Sequence, residues 1–216
     1  MIKNKVVSFD LDGTLTDHSF VDSVWLEGIP QLYSVKKKVT FDDAKIAVKK
    51  EYDKIGEEEL QWYNLQYWIK KFDLNVSWQH LLSRFEDRIR IYPDALKIVE
   101  ELAQKEIRLV IITNANTEFL EFQLASTKIG GYFEAVFSAT SDFGLVKKTV
   151  DVYRRVCNIL GILPHEMIHV GDDQNFDFYV PKRLGITAFH LDRKGTNRGK
   201  HVIYSLEELN KIVEKL

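Results

Sequence analysis

The chain from residue 91 onward alternates between short apolar runs and helix-like stretches, and this alternation constrains the possible folds more than any other feature. Four of the apolar runs predict buried strands, because each is short and bounded by polar or turn-forming residues. These runs lie at residues 107–112, 135–137, 167–170 and 186–191. Buried strands that alternate with helices favour a parallel sheet with helices on both faces. The sequence therefore predicts an α/β protein with a Rossmann-like parallel-sheet core.

The stretches between these runs predict the helices of the core. The clearest is 94–105, whose apolar residues recur at the spacing of one buried helical face; these are Ala95, Ile98, Val99 and Leu102. Further helices are predicted at 118–128, 149–160, 178–184 and 206–216. Cys157, the only cysteine, falls in an apolar stretch of one of them, where we expect a small buried side chain rather than a reactive thiol.

Residues 17–90 differ from the rest, because they contain helical patterns but no convincing strand. Helices are predicted at 20–34, 41–55, 59–73 and 78–88, and all four tryptophans of the chain fall in this segment. We therefore predict a core formed by residues 1–16 and 91–216, and a four-helix module of residues 17–90 inserted after the first strand. An aromatic cluster in the module is expected mainly to serve its own packing, with a stacking surface for a sugar or base as the alternative. The cluster consists of Trp62, Tyr63, Tyr67 and Trp68.

The composition limits the classes of partner. With 45% hydrophobic and 29% charged residues, the chain has the composition of a packed globular protein. A formal net charge of −2 gives no overall attraction to nucleic acid or to anionic membranes. No leader pattern opens the chain, and no run approaches the roughly 18 apolar residues of a membrane span. We therefore expect a cytoplasmic protein that binds neither nucleic acid nor membrane.

Another apolar run, at residues 6–9, leads directly into two aspartates, Asp10 and Asp12, which are followed by Gly13 and Thr14. Open α/β sheets bind their ligands at the C-terminal ends of the strands, where this pair would lie. Two carboxylates there can hold a hard cation and still leave one to attack an electrophile. Taken alone, the stretch is also compatible with a simple turn after a strand, since Asp-Gly favours turns.

Three more candidate positions share this location at the C-terminal ends of predicted strands. Thr113 and Asn114 follow the second strand, and Asp172, with Asp177 shortly after it, follows the fourth. Lys147 precedes a predicted helix, where the helix dipole disfavours a cation unless an anion or solvent compensates for it. Each position has an ordinary explanation, such as a helix cap or a polar loop, but their common location predicts one site that binds an anion.

The order and spacing of these residues resemble the haloacid dehalogenase-like hydrolase superfamily over nearly the whole chain. The first motif of that family is matched by Asp10-Leu11-Asp12-Gly13-Thr14, and the second by Thr113 after an apolar strand. The fourth motif is matched by Gly171-Asp172 and Asp177. The third motif is a lysine three positions after a glycine and six before an aromatic residue. Gly144 and Tyr153 then favour Lys147 over Lys148, although Lys148 replaces the usual proline after the lysine.

The resemblance implies a role for each of these residues. Asp10 would attack the phosphorus of a monoester and form an aspartyl-phosphate. Asp12 would protonate the leaving alcohol and then activate the water that hydrolyses the intermediate. Thr113 and Lys147 would hold the phosphoryl oxygens and count among the catalytic residues, with Asn114 beside them in binding substrate, and Lys147 would also keep Asp10 ionised.

The resemblance also implies that Mg²⁺ is the cofactor. The ion would be held by the Asp10 carboxylate, the Asp12 backbone carbonyl and the Asp172 carboxylate, with water and a phosphate oxygen in the remaining octahedral positions. Asp177 would orient Lys147 or a metal-bound water rather than bind the ion directly. Asp173 would face solvent or cap the turn that follows.

The presence of Asp12 selects the branch of the family. Haloacid dehalogenases and phosphonatases lack an acid at this position, so the sequence predicts a magnesium-dependent phosphatase acting on a small phosphorylated metabolite. A phosphomutase resembling β-phosphoglucomutase is the enzymatic alternative, and a receiver-like module that carries a phosphorylated aspartate is an alternative of another class. The helical insertion at 17–90 resembles the family's C1 cap, which closes over the phosphate site and contacts the leaving group.

Overall fold

The computed structural model describes residues 5–215 and confirms the parallel α/β core. Six strands in this part of the chain form one sheet in the order β3-β2-β1-β4-β5-β6, and all pairings are parallel. They are β1 (Val6–Phe9), β2 (Arg108–Thr113), β3 (Ala135–Ser138), β4 (Met167–Gly171), β5 (Thr187–Leu191) and β6 (Val202–Ile203). The sequence did not predict β6, because two residues are too few to produce a recognisable pattern. Residues 1–4 of the predicted core and Leu216 of the predicted last helix lie outside the described residues.

Residues 17–90 form a helical segment, as predicted, but it contains six α-helices rather than the four predicted, because a π-helical segment and a helix cap divide two of the longer patterns. These helices are α1 (Ser19–Ser23), α2 (Ile29–Lys37), α3 (Phe41–Ile55), α4 (Leu60–Tyr63), α5 (Leu65–Lys71) and α6 (Trp78–Ser83). A π-helical segment, Val24–Gly28, joins α1 to α2, so Pro30 lies in the first turn of a helix rather than ending one. The helix predicted at 59–73 is divided at Asn64, whose side chain accepts a hydrogen bond from Tyr67 N and caps α5.

The remaining helices cover the two faces of the sheet. They are α7 (Pro93–Gln104), α8 (Thr117–Thr127), α9 (Val150–Leu160), α10 (Val180–Arg183) and α11 (Leu209–Lys215), with a π-helical segment, Gln174–Tyr179, before α10. The apolar face predicted for α7 is fully buried. Cys157 on α9 is also buried, as predicted. No helix in residues 5–215 is long and apolar enough to cross a membrane.

The order of the strands places the site residues next to each other. The chain builds β1, β2 and β3 outward in one direction and then returns to place β4 on the other side of β1. Ligands bind in the crevice at such a reversal in strand order, beyond the carboxyl ends of the strands. Asp10, which follows β1, and Asp172, which follows β4, lie at this position.

The helical segment leaves the core and returns to it at adjacent points. The backbone N–H of Asp17 donates to the carbonyl of Arg90, and the N–H of Tyr92 donates to the carbonyl of Leu15. The segment has its own buried apolar cluster, which includes Phe20, Trp68 and Leu81, and this cluster reaches the core through Phe119 of α8. The helices of residues 19–88 are therefore held over the end of the sheet where Asp10 lies.

Candidate active site

The candidate site is a cavity of about 390 Å³ at the C-terminal end of the sheet. Its lining contains most of the site residues predicted from the sequence, together with Lys148, which the sequence had ranked below Lys147, and with His18, Ala115 and Gln174. The lining residues are Asp10, Asp12, His18, Thr113, Asn114, Ala115, Lys148, Asp172, Asp173 and Gln174. Loops after four different strands, β1 to β4, contribute to it, so the site exists only when the sheet is formed.

A buried lysine lies between two aspartates at the base of the cavity. The Nζ atom of Lys148 is 2.5 Å from Asp10 Oδ1 and 2.5 Å from Asp177 Oδ1. Lys148 is 1% exposed, Asp10 6% and Asp177 not at all. Burial alone would lower the pKa of Lys148, but the two carboxylates outweigh it and raise that pKa above its ordinary value. Lys148 is therefore a permanent positive charge against Asp10.

The sequence predicted Lys147 for this position, and the structure corrects that assignment. Lys147 Nζ instead donates to Tyr63 Oη, 2.6 Å away, at the helical segment. The reason is a tight turn, in which Thr149 N donates to the carbonyl of Lys147, so the two lysine side chains leave the chain in different directions. Asn114 fixes this turn, because its Oδ1 accepts from Lys148 N at 2.7 Å.

A buried polar chain supports Asp177 from below. His169 on β4 has its Nε2 atom 2.9 Å from Asp177 Oδ1, and its Nδ1 atom is hydrogen-bonded to the hydroxyl of Ser8. Burial lowers the pKa of His169, so the imidazole is neutral and Nε2 carries the proton donated to Asp177. Burial would raise the pKa of Asp177, but Lys148 and His169 lower it to about 2. Asp177 thus stays ionised and orients Lys148.

The remaining oxygen of Asp177 is also occupied, since Oδ2 accepts from the N–H of Asp173. The Asp173 side chain caps the following turn by accepting from Asn175 N and Phe176 N, which confirms the capping alternative proposed for it. Gly171 is required beside Asp177, because a Cβ atom there would lie 2.3 Å from the Asp177 carboxyl carbon. Both carboxylate oxygens of Asp177 thus have protein partners, which supports the expectation that it orients other groups rather than binding the metal directly.

Asp12 is held by a glutamine that the sequence did not single out. Gln123 on α8 is fully buried, donates from Nε2 to Asp12 Oδ1 at 2.9 Å, and accepts from the Thr16 hydroxyl at 2.9 Å. Burial raises the pKa of Asp12, and the hydrogen bond from Gln123 offsets only part of this effect. A raised pKa suits a carboxyl group that must first donate and then accept a proton.

Thr113 ends β2 and is buried beside Asp10 in the cavity wall. Its Oγ1 accepts from Ala115 N at 3.1 Å, which fixes the hydroxyl at the start of the loop. Asn114 and Ala115, which follow Thr113, line this cavity and also a second cavity that is described below. The structure thus brings Thr113 and Asn114 together with Asp10, as the sequence predicted.

The opposite wall is formed by Asp172 and His18. Asp172 Oδ2 lies 3.6 Å from His18 Nε2, and the Asp172 carboxylate raises the pKa of His18 to about 9. Gly13, at φ +84°, allows this approach, because a Cβ atom there would lie 2.2 Å from Asp172 Oδ2. The glycine of the Asp-Gly pair is therefore needed for the site as well as for the turn.

The donor set fits a hard divalent cation. Carboxylate oxygens of Asp10, Asp172 and Asp177 lie within 4.8 Å of one another, and Lys148 supplies one positive charge against these three acids. Burial raises the pKa of Asp10 well above its ordinary value, the Lys148 charge opposes this, and the neighbouring carboxylates raise it further. A cation bound between Asp10 and Asp172 would remove this repulsion, and oxygen donors are those that Mg²⁺ prefers.

A second, aromatic cavity of about 280 Å³ opens beside the first. The two share Asp12, Asn114 and Ala115, so they adjoin each other at these residues. The rest of its lining is mostly aromatic and comes from the helical segment and α8. These residues are Val21, Asp22, Trp25, Leu26, Tyr52, Trp62, Tyr63, Asn116 and Phe119. In the predicted aromatic cluster, Trp68 is fully buried as expected, whereas Trp62 and Tyr63 line this cavity.

Comparisons with known proteins agree with this geometry. The family model described as haloacid dehalogenase-like hydrolase matches residues 4–185. A GMP/IMP nucleotidase of Escherichia coli is 24% identical over 186 residues, covering 84% of this chain and 82% of its own length. A glyceraldehyde 3-phosphate phosphatase of Methanocaldococcus jannaschii is 24% identical and covers 98% of both chains. The crystal structure of a phosphatase from Thermococcus onnurineus superposes with a TM-score of 0.83 at 28% identity, covering 97% of each chain.

Proposed function

The chain belongs to the haloacid dehalogenase-like hydrolase family and is a phosphoric monoester hydrolase, and we propose that it hydrolyses small phosphorylated metabolites with Mg²⁺ through an aspartyl-phosphate on Asp10. The observation that carries this proposal is the position of Asp10 between Lys148 and Asp172 at the reversal in strand order. We also propose that residues 17–90 act as a cap that closes this site.

Asp10 is the nucleophile in this proposal. Its carboxylate attacks the phosphorus, the bond from phosphorus to the ester oxygen breaks, and the electron pair leaves with that oxygen. Lys148 favours the ionised form of Asp10, against the effect of burial, and neutralises charge on the phosphoryl oxygens. A Mg²⁺ ion held by the Asp10 and Asp172 carboxylates and the Asp12 carbonyl would reduce the repulsion between the anionic nucleophile and the anionic ester.

Asp12 transfers the protons. In its protonated form the carboxyl donates to the leaving oxygen, so that an alcohol departs. The resulting carboxylate then takes a proton from the water that attacks the aspartyl-phosphate. Inorganic phosphate is released, and the free Asp10 carboxylate is restored. Gln123 fixes the direction of Asp12 in both steps. Thr113 and Asn114, which line the same cavity, would bind the phosphoryl oxygens.

The proposal is tested by measuring free phosphate released from 4-nitrophenyl phosphate, with and without Mg²⁺. We expect turnover that stops on chelation and returns with Mg²⁺. Asp10→Asn should abolish it, because the amide is a poor nucleophile of nearly the same volume. Asp151→Asn, on the exposed surface of α9, is the matched control and should keep full activity. Substantial release by Asp10→Asn, or full activity in chelator, would contradict the proposal.

A further inference from the structure

The aromatic cavity beside Asp12 extends the proposed function to a class of substrate. The leaving oxygen must lie near Asp12, which donates the proton to it, and Asp12 lines both cavities. Whatever is attached to that oxygen therefore extends away from Asp10 into the aromatic cavity. The lining of that cavity, rather than the phosphate site, determines which alcohol is accepted.

The walls of this cavity present flat faces. Trp25 lies 6.5 Å from Trp62 with the rings at 29°, and 5.5 Å from Phe119 at 26°, so both rings are stacked against Trp25. Tyr52 packs edge-on against Trp25 and fixes it. Trp62 and Trp25 are only half-buried, which leaves part of each ring available to a ligand. Aromatic faces bind another flat ring through stacking and through the removal of apolar surface from water.

The charges around the cavity disfavour an anionic leaving group. Asp12 and Asp22 are the charged residues of its lining among the described residues, and both are acidic. Lys147 lies just behind Tyr63, but its Nζ atom donates to the Tyr63 hydroxyl and has Glu57 3.8 Å away. A leaving group that carries a carboxylate would lie near these two acidic residues. In the part of the chain that the structure describes, the lining offers it no cationic side chain as a partner.

We propose that the preferred substrates are phosphate monoesters whose alcohol carries a flat, uncharged ring, such as a nucleobase or an aryl group, held against Trp62 and Trp25. The proposal rests on the proposed function, because Asp10 and Asp12 fix where the leaving group begins. It excludes short anionic esters as preferred substrates.

Two matched pairs of esters test this preference without changing the chemistry of the leaving oxygen. Benzyl phosphate is compared with propyl phosphate, and inosine 5′-phosphate with ribose 5-phosphate, because each pair leaves from a primary alcohol. We expect kcat/KM to be higher for the member with the ring by about tenfold or more, in line with the usual contribution of stacking. Phosphoglycolate should be the poorest substrate of the set.

The variant Trp62→Leu removes the flat face but keeps an apolar side chain, and its backbone carbonyl still accepts from Trp68 Nε1. It should lower kcat/KM for the two ring-bearing esters by about tenfold and leave propyl phosphate and ribose 5-phosphate within about twofold. Trp78→Leu is the matched control, because Trp78 is also a half-buried tryptophan of the helical segment but lies outside this cavity. It should leave both members of each pair unchanged.

Binding of benzyl phosphate to the Asp10→Asn variant, followed by quenching of tryptophan fluorescence, gives a second readout that needs no turnover. We expect tighter binding than for propyl phosphate, and loss of that difference when Trp62→Leu is added. Equal kcat/KM within each pair, or equal losses for both members in Trp62→Leu, would overturn the assigned substrate class while leaving the hydrolase intact. Absence of Mg²⁺-dependent release from every ester would instead contradict the proposed function.

Discussion

The two adjacent lysines provide a sharp test of the site, because the structure assigns them different positions. Lys148→Met removes the ammonium group that lies 2.5 Å from both Asp10 and Asp177, while keeping a side chain of similar length. Lys147→Met removes a partly exposed ammonium group that contacts Tyr63 instead. The two variants make the same chemical change one residue apart.

The magnitude follows from burial. Removing one buried donor that stabilises a developing charge lowers kcat by about 10²–10³-fold, which is roughly 2.7–4 kcal/mol. Lys148→Met should therefore lose at least this much, since the Lys148 charge also opposes the effect of burial, which raises the pKa of Asp10. Breaking a buried ion pair from one side costs about 3–5 kcal/mol of stability, so this variant should also have a lower Tm. Lys147→Met should change kcat by less than about fivefold, because its contact is half-exposed and lies outside the cavity.

The assay is kcat for 4-nitrophenyl phosphate at saturating Mg²⁺, with circular dichroism melting to show that each variant is folded at the assay temperature. A small ester is used because it depends little on contacts with the helical segment. If Lys147→Met loses as much activity as Lys148→Met, or if folded Lys148→Met keeps more than about a tenth of the parent kcat, the assignment of Lys148 is refuted.

Three further changes test other parts of the account. Asp12→Asn should slow hydrolysis of the phospho-enzyme more than its formation from an aryl ester, because an aryl leaving group needs little protonation; acid-quench measurements should show more phospho-enzyme than in the parent. Gln123→Leu should lower kcat for propyl phosphate more than for 4-nitrophenyl phosphate, since it loosens the acid that alkyl leaving groups need; equal losses would contradict this. Hydrogen bonds from the N–H and side chain of Asn197, and from Thr196, lower the pKa of Asp192 to about 2. This carboxylate therefore stabilises the fold above its unfolded pKa of about 3.8, and the contribution is lost as the pH falls through about 2. The Tm deficit of Asp192→Asn should accordingly shrink between about pH 5 and about pH 3, and a constant deficit would contradict it.

The alternation of apolar runs and helices predicted the core, because a strand that is buried on both faces must be mostly apolar and is therefore visible in the sequence. β1, β2, β4 and β5 are mostly apolar and almost entirely buried for this reason, and their ends predicted where Asp10 and Asp172 lie. The strand β6 has two residues, which are too few to form a recognisable apolar run.

Residues that act through contacts between distant elements were not predicted. Gln123 and His169 reach Asp12 and Asp177 from other parts of the chain, and only the fold brings them together. Both are polar residues on otherwise buried faces of α8 and β4, which is the signal that could have identified them. The sequence favoured Lys147 over Lys148 because residue spacing contains no information on the tight turn that points the Lys148 side chain inward.

The central claim is that Asp10 becomes covalently phosphorylated during turnover. The most direct measurement is to quench the working enzyme with acid, reduce any acyl phosphate with borohydride, and map the modified residue by peptide mass spectrometry. We predict a reduced carboxyl group at Asp10 alone, dependent on both substrate and Mg²⁺, and more abundant in Asp12→Asn. An unmodified Asp10 during turnover, or modification at another carboxylate, would contradict the account.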